Sequence, residues 1–98
     1  MTTHPYHAQT PCHVGILWKP SANGEIIIRT PQHQLICLTR MGSDIFTRCN
    51  GKTPISEIQK FLEKNYSQMS PRLIESKLYG FLKWLESQGV IIIDWDDF

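Results

Sequence analysis

The sequence predicts a single α+β domain in which a three-stranded antiparallel sheet precedes three helices and a short C-terminal strand. Two observations lead to this prediction. Up to Thr39 the apolar residues fall in short strand-like segments separated by turn signals, and from Arg40 onward they recur with a helical period. The strand-like segments are separated only by short breaks, which is typical of an antiparallel meander. With 98 residues, 41% of them apolar, the chain is long enough to form one hydrophobic core.

Three strands are predicted in the first part of the chain, over residues 14–19, 25–30 and 35–39. The first of them alternates apolar and polar residues, and the second is rich in β-branched side chains. The break between these two ends in an Asn-Gly dipeptide, a strong turn signal, and the next break starts with a proline. These signals favour two tight reversals and therefore a meander.

The next two predicted elements are helices with one apolar face each. On the first helix this face consists of Met41, Ile45, Phe46 and Cys49. Asn50 and Gly51 are expected to stop it. The second helix is expected to begin with Thr53 as its N-cap and Pro54 at its first position. Its apolar stripe consists of Ile55, Ile58, Phe61 and Leu62.

The third predicted helix is the longest, with Ser70-Pro71 as its start signal and Gly89 as its end. One arc of this helix is apolar, as a core-facing surface requires, and consists of Ile74, Leu78, Phe81, Leu82 and Leu85. Tyr79 is expected on its exposed side. Residues 90–94 return to strand character and predict the short closing strand.

A second row on the third helix lies about a quarter turn away from the core arc and consists of Leu73, Lys77, Gly80 and Trp84. One interpretation is that the row packs under the sheet. The other is that it lines a groove beside the sheet, where Gly80 permits close approach, Trp84 gives contact area and Lys77 supplies a charge. The pattern alone leaves both interpretations open.

Composition excludes several classes of function. A net charge of +1 gives no bulk attraction to nucleic acid or anionic lipid. No apolar run approaches the ~20 residues of a membrane helix, and the N-terminus has no secretory signal pattern. Three cysteines are an odd number for a disulfide framework, so we expect a reduced, cytoplasmic protein.

Neither catalysis nor metal binding is predicted. No Ser/His/Asp set has a distinguishing spacing, no glycine loop resembles a phosphate-binding loop, and the helical glutamates fall on polar faces. His4, His7, Cys12 and His13 are possible metal ligands, but they crowd into a segment without the paired spacing of a structural zinc site. We therefore predict a flexible N-terminal segment over residues 1–13, with no catalytic residues, no metal and no cofactor.

The run from Leu38 to Ile58 resembles the centre of the family of pyrroloquinoline quinone biosynthesis protein D, the PqqD-like family. The matching motifs, in chain order, are Leu38-Thr39, Ile45-Phe46, Asn50-Gly51, Pro54-Ile55-x-x-Ile58 and Phe81-Leu82-x-x-Leu85-x-x-x-Gly89-Val90. Thr39 stands where the family usually has Asn. The resemblance covers about residues 14–93, so residues 14–94 are identified as a PqqD-like domain and residues 95–98 as an acidic tail.

The resemblance implies a recognition element for ribosomally made, post-translationally modified peptides, with a winged helix-turn-helix-like arrangement. Such a domain binds the leader of a precursor peptide and presents the precursor to a modifying enzyme, often a radical S-adenosylmethionine (SAM) protein. The leader adds as a strand to the third strand, in a cleft walled by the third helix. Neither nucleic acid nor a membrane is an expected partner.

Under this interpretation, the edge strand pairs with the leader through the backbone of Gln34, Leu35, Ile36, Cys37, Leu38 and Thr39. This segment contains no proline and no charge that would protect a sheet edge. The predicted contacts on the third helix are Arg72, Leu73, Lys77, Gly80 and Trp84. Ile36 or Leu38 is expected to contribute to the apolar pockets, and Lys77 together with Arg72 to meet a leader carboxylate.

Two other classes of protein fit the same elements. A winged-helix DNA-binding regulator also combines a small sheet with three helices, but Lys77, Lys83 and Arg72 on the third helix are offset by Glu75 and Glu86. A structural subunit is the other alternative, in which the exposed strand pairs with its own copy in a dimer.

Overall fold

The structure is a computed structural model that describes residues 8–14 and 17–93. It has an α+β architecture in which a three-stranded antiparallel sheet is followed by three helices. The elements in chain order are β1 (Cys12–His13), β2 (Leu17–Pro20), β3 (Ile26–Arg29), β4 (Leu35–Cys37), α1 (Arg40–Thr47), α2 (Ile55–Asn65), α3 (Pro71–Ser87) and β5 (Ile91–Ile92). The predicted sheet, the three helices and the short closing strand are therefore confirmed.

The main sheet is an antiparallel meander with the order β2-β3-β4. Its register places Ile28 opposite Trp18 on one side and opposite Ile36 on the other. Because side chains alternate along a strand, Ile26 and Ile28 face the helices and are buried, whereas Ile27 and Arg29 face away from them. The sheet thus has one face in the core and one outer face.

A second sheet of two strands joins the ends of the described chain, because β1 pairs antiparallel with β5. The prediction of a separate flexible segment over residues 1–13 is wrong for its last residues. The carbonyl of Gln9 accepts a hydrogen bond from the Ile55 amide (2.9 Å), and that of Pro11 accepts one from the Gly51 amide (2.9 Å). Backbone hydrogen bonds to residues 49–51, to Ile55 and to β5 therefore hold these residues in place. Residues 1–7 and the predicted tail 95–98 lie outside the described residues.

The helix boundaries follow the start signals with two corrections. Ser70 caps α3 as predicted, since its hydroxyl accepts a hydrogen bond from the Leu73 amide (3.1 Å). The predicted N-cap at Thr53 is wrong: Pro54 occupies the cap position of α2, and the Thr53 amide instead donates to the Asn50 side chain (2.9 Å). Helix α1 ends at Thr47, three residues before the expected Asn-Gly stop.

The core lies between the inner face of the sheet and the apolar faces of the helices. Its largest fully buried side chains include Ile28, Phe46, Leu62 and Leu78. Tyr79 is only 7% exposed, so the prediction that it lies on the exposed side of α3 is wrong. Burial raises the pKa of this phenol above its ordinary range. Conversely, Phe81 is only half-buried and packs against the core from its border.

A buried hydroxyl connects α1 to the sheet. Ser43 is almost fully buried, and its Oγ accepts a hydrogen bond from the Ile26 amide (2.8 Å) at the start of β3. This bond satisfies a backbone donor that β4 leaves unpaired. Within the described part of the chain, no helix is long and apolar enough to cross a membrane.

Candidate functional site

Strand β4 forms one edge of the main sheet. In the described part of the chain it pairs with β3 alone, in a register that sets Leu35 opposite Arg29 and Cys37 opposite Ile27. Thr39 lies two residues after the end of β4 and caps α1, because its Oγ1 accepts a hydrogen bond from the Gly42 amide (3.1 Å). The chain therefore passes from the sheet edge into α1 within two residues.

The hydrogen bonds on either side of β4 define which of its backbone groups point outward. The Leu38 amide donates to the Ile26 carbonyl (2.9 Å), and the Gln34 carbonyl accepts from the Thr30 amide (2.8 Å). Because bonded residues alternate along an antiparallel strand, residues 34, 36 and 38 direct their backbone groups toward β3. The N–H and C=O groups of Leu35 and Cys37 therefore point away from the sheet. The prediction that every residue from 34 to 39 offers its backbone to a guest is wrong for this reason.

The opposite edge of the sheet, on β2, is a poorer template for pairing. The same alternation directs the backbone groups of Trp18 and Pro20 outward on β2. Proline has no N–H to donate, and Lys19 adds a charge to this strand. Both features are common protections of edge strands. Of the two edges, β4 is the one with donors at both outward positions.

A groove begins where β4 ends and runs between α1 and α3. Its volume is about 310 Å³, and its lining residues are Thr39, Met41, Gly42, Ile45, Lys77, Gly80 and Phe81. Lys77 is the charged residue of this set. The groove is therefore mostly apolar, with one cation at its wall.

Two glycines shape this groove in different ways. A Cβ atom at Gly42 would lie 2.9 Å from the ring of Phe81, so the missing side chain lets α3 approach α1 closely. At Gly80, by contrast, a Cβ atom would meet no heavy atom within 4 Å. Gly80 therefore leaves open space above the middle of α3.

The second row of α3 is exposed, so the interpretation that it packs under the sheet is wrong. Leu73 is 44% exposed and Trp84 is 40% exposed, and both Lys77 and Gly80 are also open to solvent. Trp84 stacks on Phe81 with ring centroids 5.8 Å apart. The row thus forms an apolar surface that continues the groove along α3.

The predicted site residues are only partly brought together. Thr39, Lys77 and Gly80 line the groove, and Trp84 contacts it through Phe81. Leu38 is 3% exposed and belongs to the core, so its predicted role in an apolar pocket of the cleft is wrong. Ile36 is the inward-facing residue of β4 and is half-buried.

Gln34, Leu35, Arg72 and Leu73 lie outside the groove lining. Gln34 belongs to the turn before β4, where its amide donates to Thr30 Oγ1 (3.1 Å). Leu35 points to the outer face of the sheet, and Arg72 is exposed in the first turn of α3. The residues that the sequence missed are Met41, Gly42, Ile45 and Phe81. The helical period assigns Met41, Ile45 and Phe81 to apolar core faces. Met41 and Phe81 are only partly buried at the border of the core, whereas Ile45 is a core residue at the base of the groove.

The titratable groups near α1 have structural roles. The Tyr66 hydroxyl donates to the Asp44 carboxylate (2.7 Å), which fixes α1 to the end of α2. Partial burial, together with this hydrogen bond and the Asp44 charge, raises the pKa of Tyr66 to about 12. Burial raises the pKa of the Cys49 thiol to about 12, so it is inert near neutral pH. Among the described residues, no three His, Cys, Asp or Glu side chains are placed to hold a metal, and His4 and His7 lie outside that set.

Comparison of the chain with protein-family models, with curated proteins and with solved structures finds no match.

Proposed function

We propose that this chain is a non-catalytic, peptide-binding accessory protein that takes up an extended peptide as a fourth strand on β4. The peptide is the leader of a ribosomally made precursor, which the domain presents to a separate modifying enzyme, a radical SAM protein, in the cytoplasm. The observation that carries this proposal is the open β4 edge, with outward N–H and C=O groups on Leu35 and Cys37, directly beside the groove between α1 and α3.

The first step of binding is backbone pairing. A guest strand can exchange two hydrogen bonds with Leu35 and two with Cys37, because both residues direct their donor and acceptor outward. Each such bond contributes a net ~0.5–1.5 kcal/mol, so the four together provide a few kcal/mol without any dependence on the guest sequence. Backbone pairing alone therefore gives weak affinity and no specificity.

Specificity comes from the side chains of the guest. Alternate guest residues lie beside Ile36, on the inner side of the sheet, and point toward the apolar wall of Met41, Ile45 and Phe81. The open space over Gly80 accepts one of them. Lys77 makes no ion pair within the described residues, so it is available for a guest carboxylate. The favoured guest thus has apolar residues at every second position and one acidic residue.

The resemblance to the PqqD-like family supports the identity of this guest as a leader peptide and the winged-helix-like description of the domain. If the matching motifs are aligned in order, the family's third strand would correspond to β4 and its third helix to α3. Strand addition on β4 beside α3 is the binding mode that this resemblance implies.

The proposal is tested with peptides of about 12 residues that are selected from a display library for binding to this chain. The variant Cys37→Pro removes one outward N–H but leaves the ladder to β3 intact, and it should abolish binding of a selected peptide. Cys37→Val keeps the N–H and serves as the matched control, which should bind as the original chain does. Proline at residue 36 is a poor test because that amide faces β3.

Equal binding by the Cys37→Pro and Cys37→Val variants would contradict strand addition. Titration with random duplex DNA at low salt separates the DNA-binding alternative, since salt-sensitive binding of DNA would count against a peptide ligand. Sedimentation of the free chain separates the structural alternative. A concentration-independent dimer that Cys37→Pro dissociates would show that β4 is occupied by its own copy.

A further inference from the structure

The outer face of the main sheet is an exposed, mostly apolar surface whose side chains point away from the groove between α1 and α3. It shares Leu35 and Cys37 with the peptide site, which uses only the backbone of these two residues. By the strand register, one row across this face consists of Leu17, Arg29 and Leu35, and the next row consists of Lys19, Ile27 and Cys37. Leu17 is 70% exposed and Leu35 is 67% exposed. We call these six residues the outer patch.

The outer patch contains a depression larger than the groove between α1 and α3. Its volume is about 560 Å³, and five of the six patch residues line it together with Trp18. Exposed leucines on strands are costly to leave in water, and an apolar surface of this kind usually marks an interaction site. The size and composition of the outer patch therefore indicate a binding surface for another molecule.

The charges of the patch define the chemistry of that occupant. Arg29 lies between the two exposed leucines in the first row, and Lys19 lies beside Ile27 in the second. Neither cation makes an ion pair within the described residues. Glu25, at the turn before β3, instead accepts a hydrogen bond from the Asn23 side chain (3.1 Å). The patch thus presents two available cations embedded in an apolar surface.

These charges argue against a second copy of the chain as the occupant. A two-fold contact through this face would place Lys19 and Arg29 of both copies in one interface, and gathering four like charges in a contact is unfavourable. A lipid surface is also a poor fit. Two cations contribute only about 2 kcal/mol of attraction to anionic lipid, and the leucines lie on flat strands rather than on an amphipathic helix that can insert.

We propose that the outer patch binds an acidic amphipathic helix of a partner protein. Three strands span about 10 Å across the sheet, which is the diameter of one helix with its side chains. A carboxylate on the helix pairs with Arg29 between apolar contacts to Leu17 and Leu35, and a second carboxylate pairs with Lys19. This surface is on the opposite side of the sheet from the core, so a helix there leaves the outward backbone groups of β4 accessible.

The test is a selection from a displayed library of amphipathic helices whose apolar face is constant and whose flanking positions are randomised. We expect acidic helices to be enriched, and a synthetic copy of an enriched helix to bind the full chain in calorimetry. Arg29→Glu and Leu17→Ser should each weaken that binding by about tenfold or more. The matched controls are Lys64→Glu, an exposed cation on α2, and Ile92→Ser, an exposed apolar residue on β5, which should change it by no more than about twofold.

Several results would overturn this proposal. They are the recovery of no helix, enrichment of neutral or basic helices, and binding that is insensitive to Leu17→Ser and Arg29→Glu. Binding to phosphatidylglycerol vesicles that Arg29→Glu abolishes would assign the patch to a membrane instead. A dimer in sedimentation that Leu17→Ser dissociates would assign it to a second copy. The β4 edge has its own test in the comparison of Cys37→Pro with Cys37→Val. Both variants lose the Cys37 side chain of the outer patch, so this comparison isolates the outward N–H of β4.

Discussion

Replacement of Gly80 separates the demands of folding from those of peptide binding. Gly80 lies in the middle of α3, where glycine is about 0.5–1 kcal/mol less favourable than alanine. No heavy atom lies within 4 Å of a Cβ atom at this position, so a larger side chain meets no obstacle within the chain. Gly80→Ala should therefore raise the free energy of unfolding by about 0.5–1 kcal/mol, which corresponds to a rise in Tm of roughly 2–8 °C.

Gly80→Leu extends the same experiment to binding. Leucine has nearly the helix propensity of alanine, so the variant should remain at least as stable as the original chain. Its side chain fills the open space that a guest residue needs, and affinity for a selected peptide should fall by about tenfold or more, equal to roughly 1.4 kcal/mol.

Thermal unfolding and calorimetry on the same samples provide the two readouts for Gly80→Leu, and Lys64→Leu on the exposed side of α2 controls for an added apolar side chain. A Gly80→Leu variant that is stable and binds normally would refute the placement of the guest over Gly80. A variant that unfolds would refute the open space itself.

Three further substitutions test other parts of the structure. Trp84→Ala should weaken peptide binding about tenfold in calorimetry. It should lower the free energy of unfolding by no more than about 1.5 kcal/mol, because the Trp84 ring that stacks on Phe81 is 40% exposed. A larger stability loss would assign Trp84 to the core. Ser43→Ala should lower the free energy of unfolding, measured with denaturant, by about 1–3 kcal/mol, because it leaves the Ile26 amide without its acceptor. A loss below about 0.5 kcal/mol would contradict a contribution of this hydrogen bond to stability. The free energy of unfolding should fall as pH rises above 9. The Cys49 thiol ionises there in the unfolded chain, but the buried thiol of the folded chain, with a pKa of about 12, does not. Cys49→Ala should flatten this pH dependence, and an unchanged slope would assign the pH dependence to other groups.

The periodicity of the sequence predicted the main sheet and the three helices because each of these elements has one buried face. Strand β1 was missed because two residues, Cys12 and His13, are too short to show alternation. Its partner is β5, at the other end of the described chain, and such a long-range pairing has no local signal. The predicted Thr53 cap is wrong because Thr53 belongs to the turn before α2. The Asn50 side chain accepts hydrogen bonds there from the amides of Lys52 and Thr53, and Pro54 takes the cap position.

The candidate site was predictable only in part. The pattern of the second row on α3 left two interpretations open, and only the structure shows that Gly80 and Trp84 are exposed. Which backbone groups of β4 point outward depends on the register to β3, and the bonds at Thr30 and Leu38 that define it are known only from the structure. The groove itself depends on the close approach of Phe81 to Gly42, a contact between residues 39 positions apart.

Amide hydrogen exchange along β4, followed by NMR, tests most directly whether this edge accepts a guest strand. In the free chain, the amides of Leu35 and Cys37 should exchange quickly, and that of Ile36 should be protected by its bond to β3. Addition of a selected peptide should protect Leu35 and Cys37 and leave Ile36 nearly unchanged. Slow exchange at Leu35 and Cys37 before any peptide is added, or no gain of protection at saturation, would contradict the account.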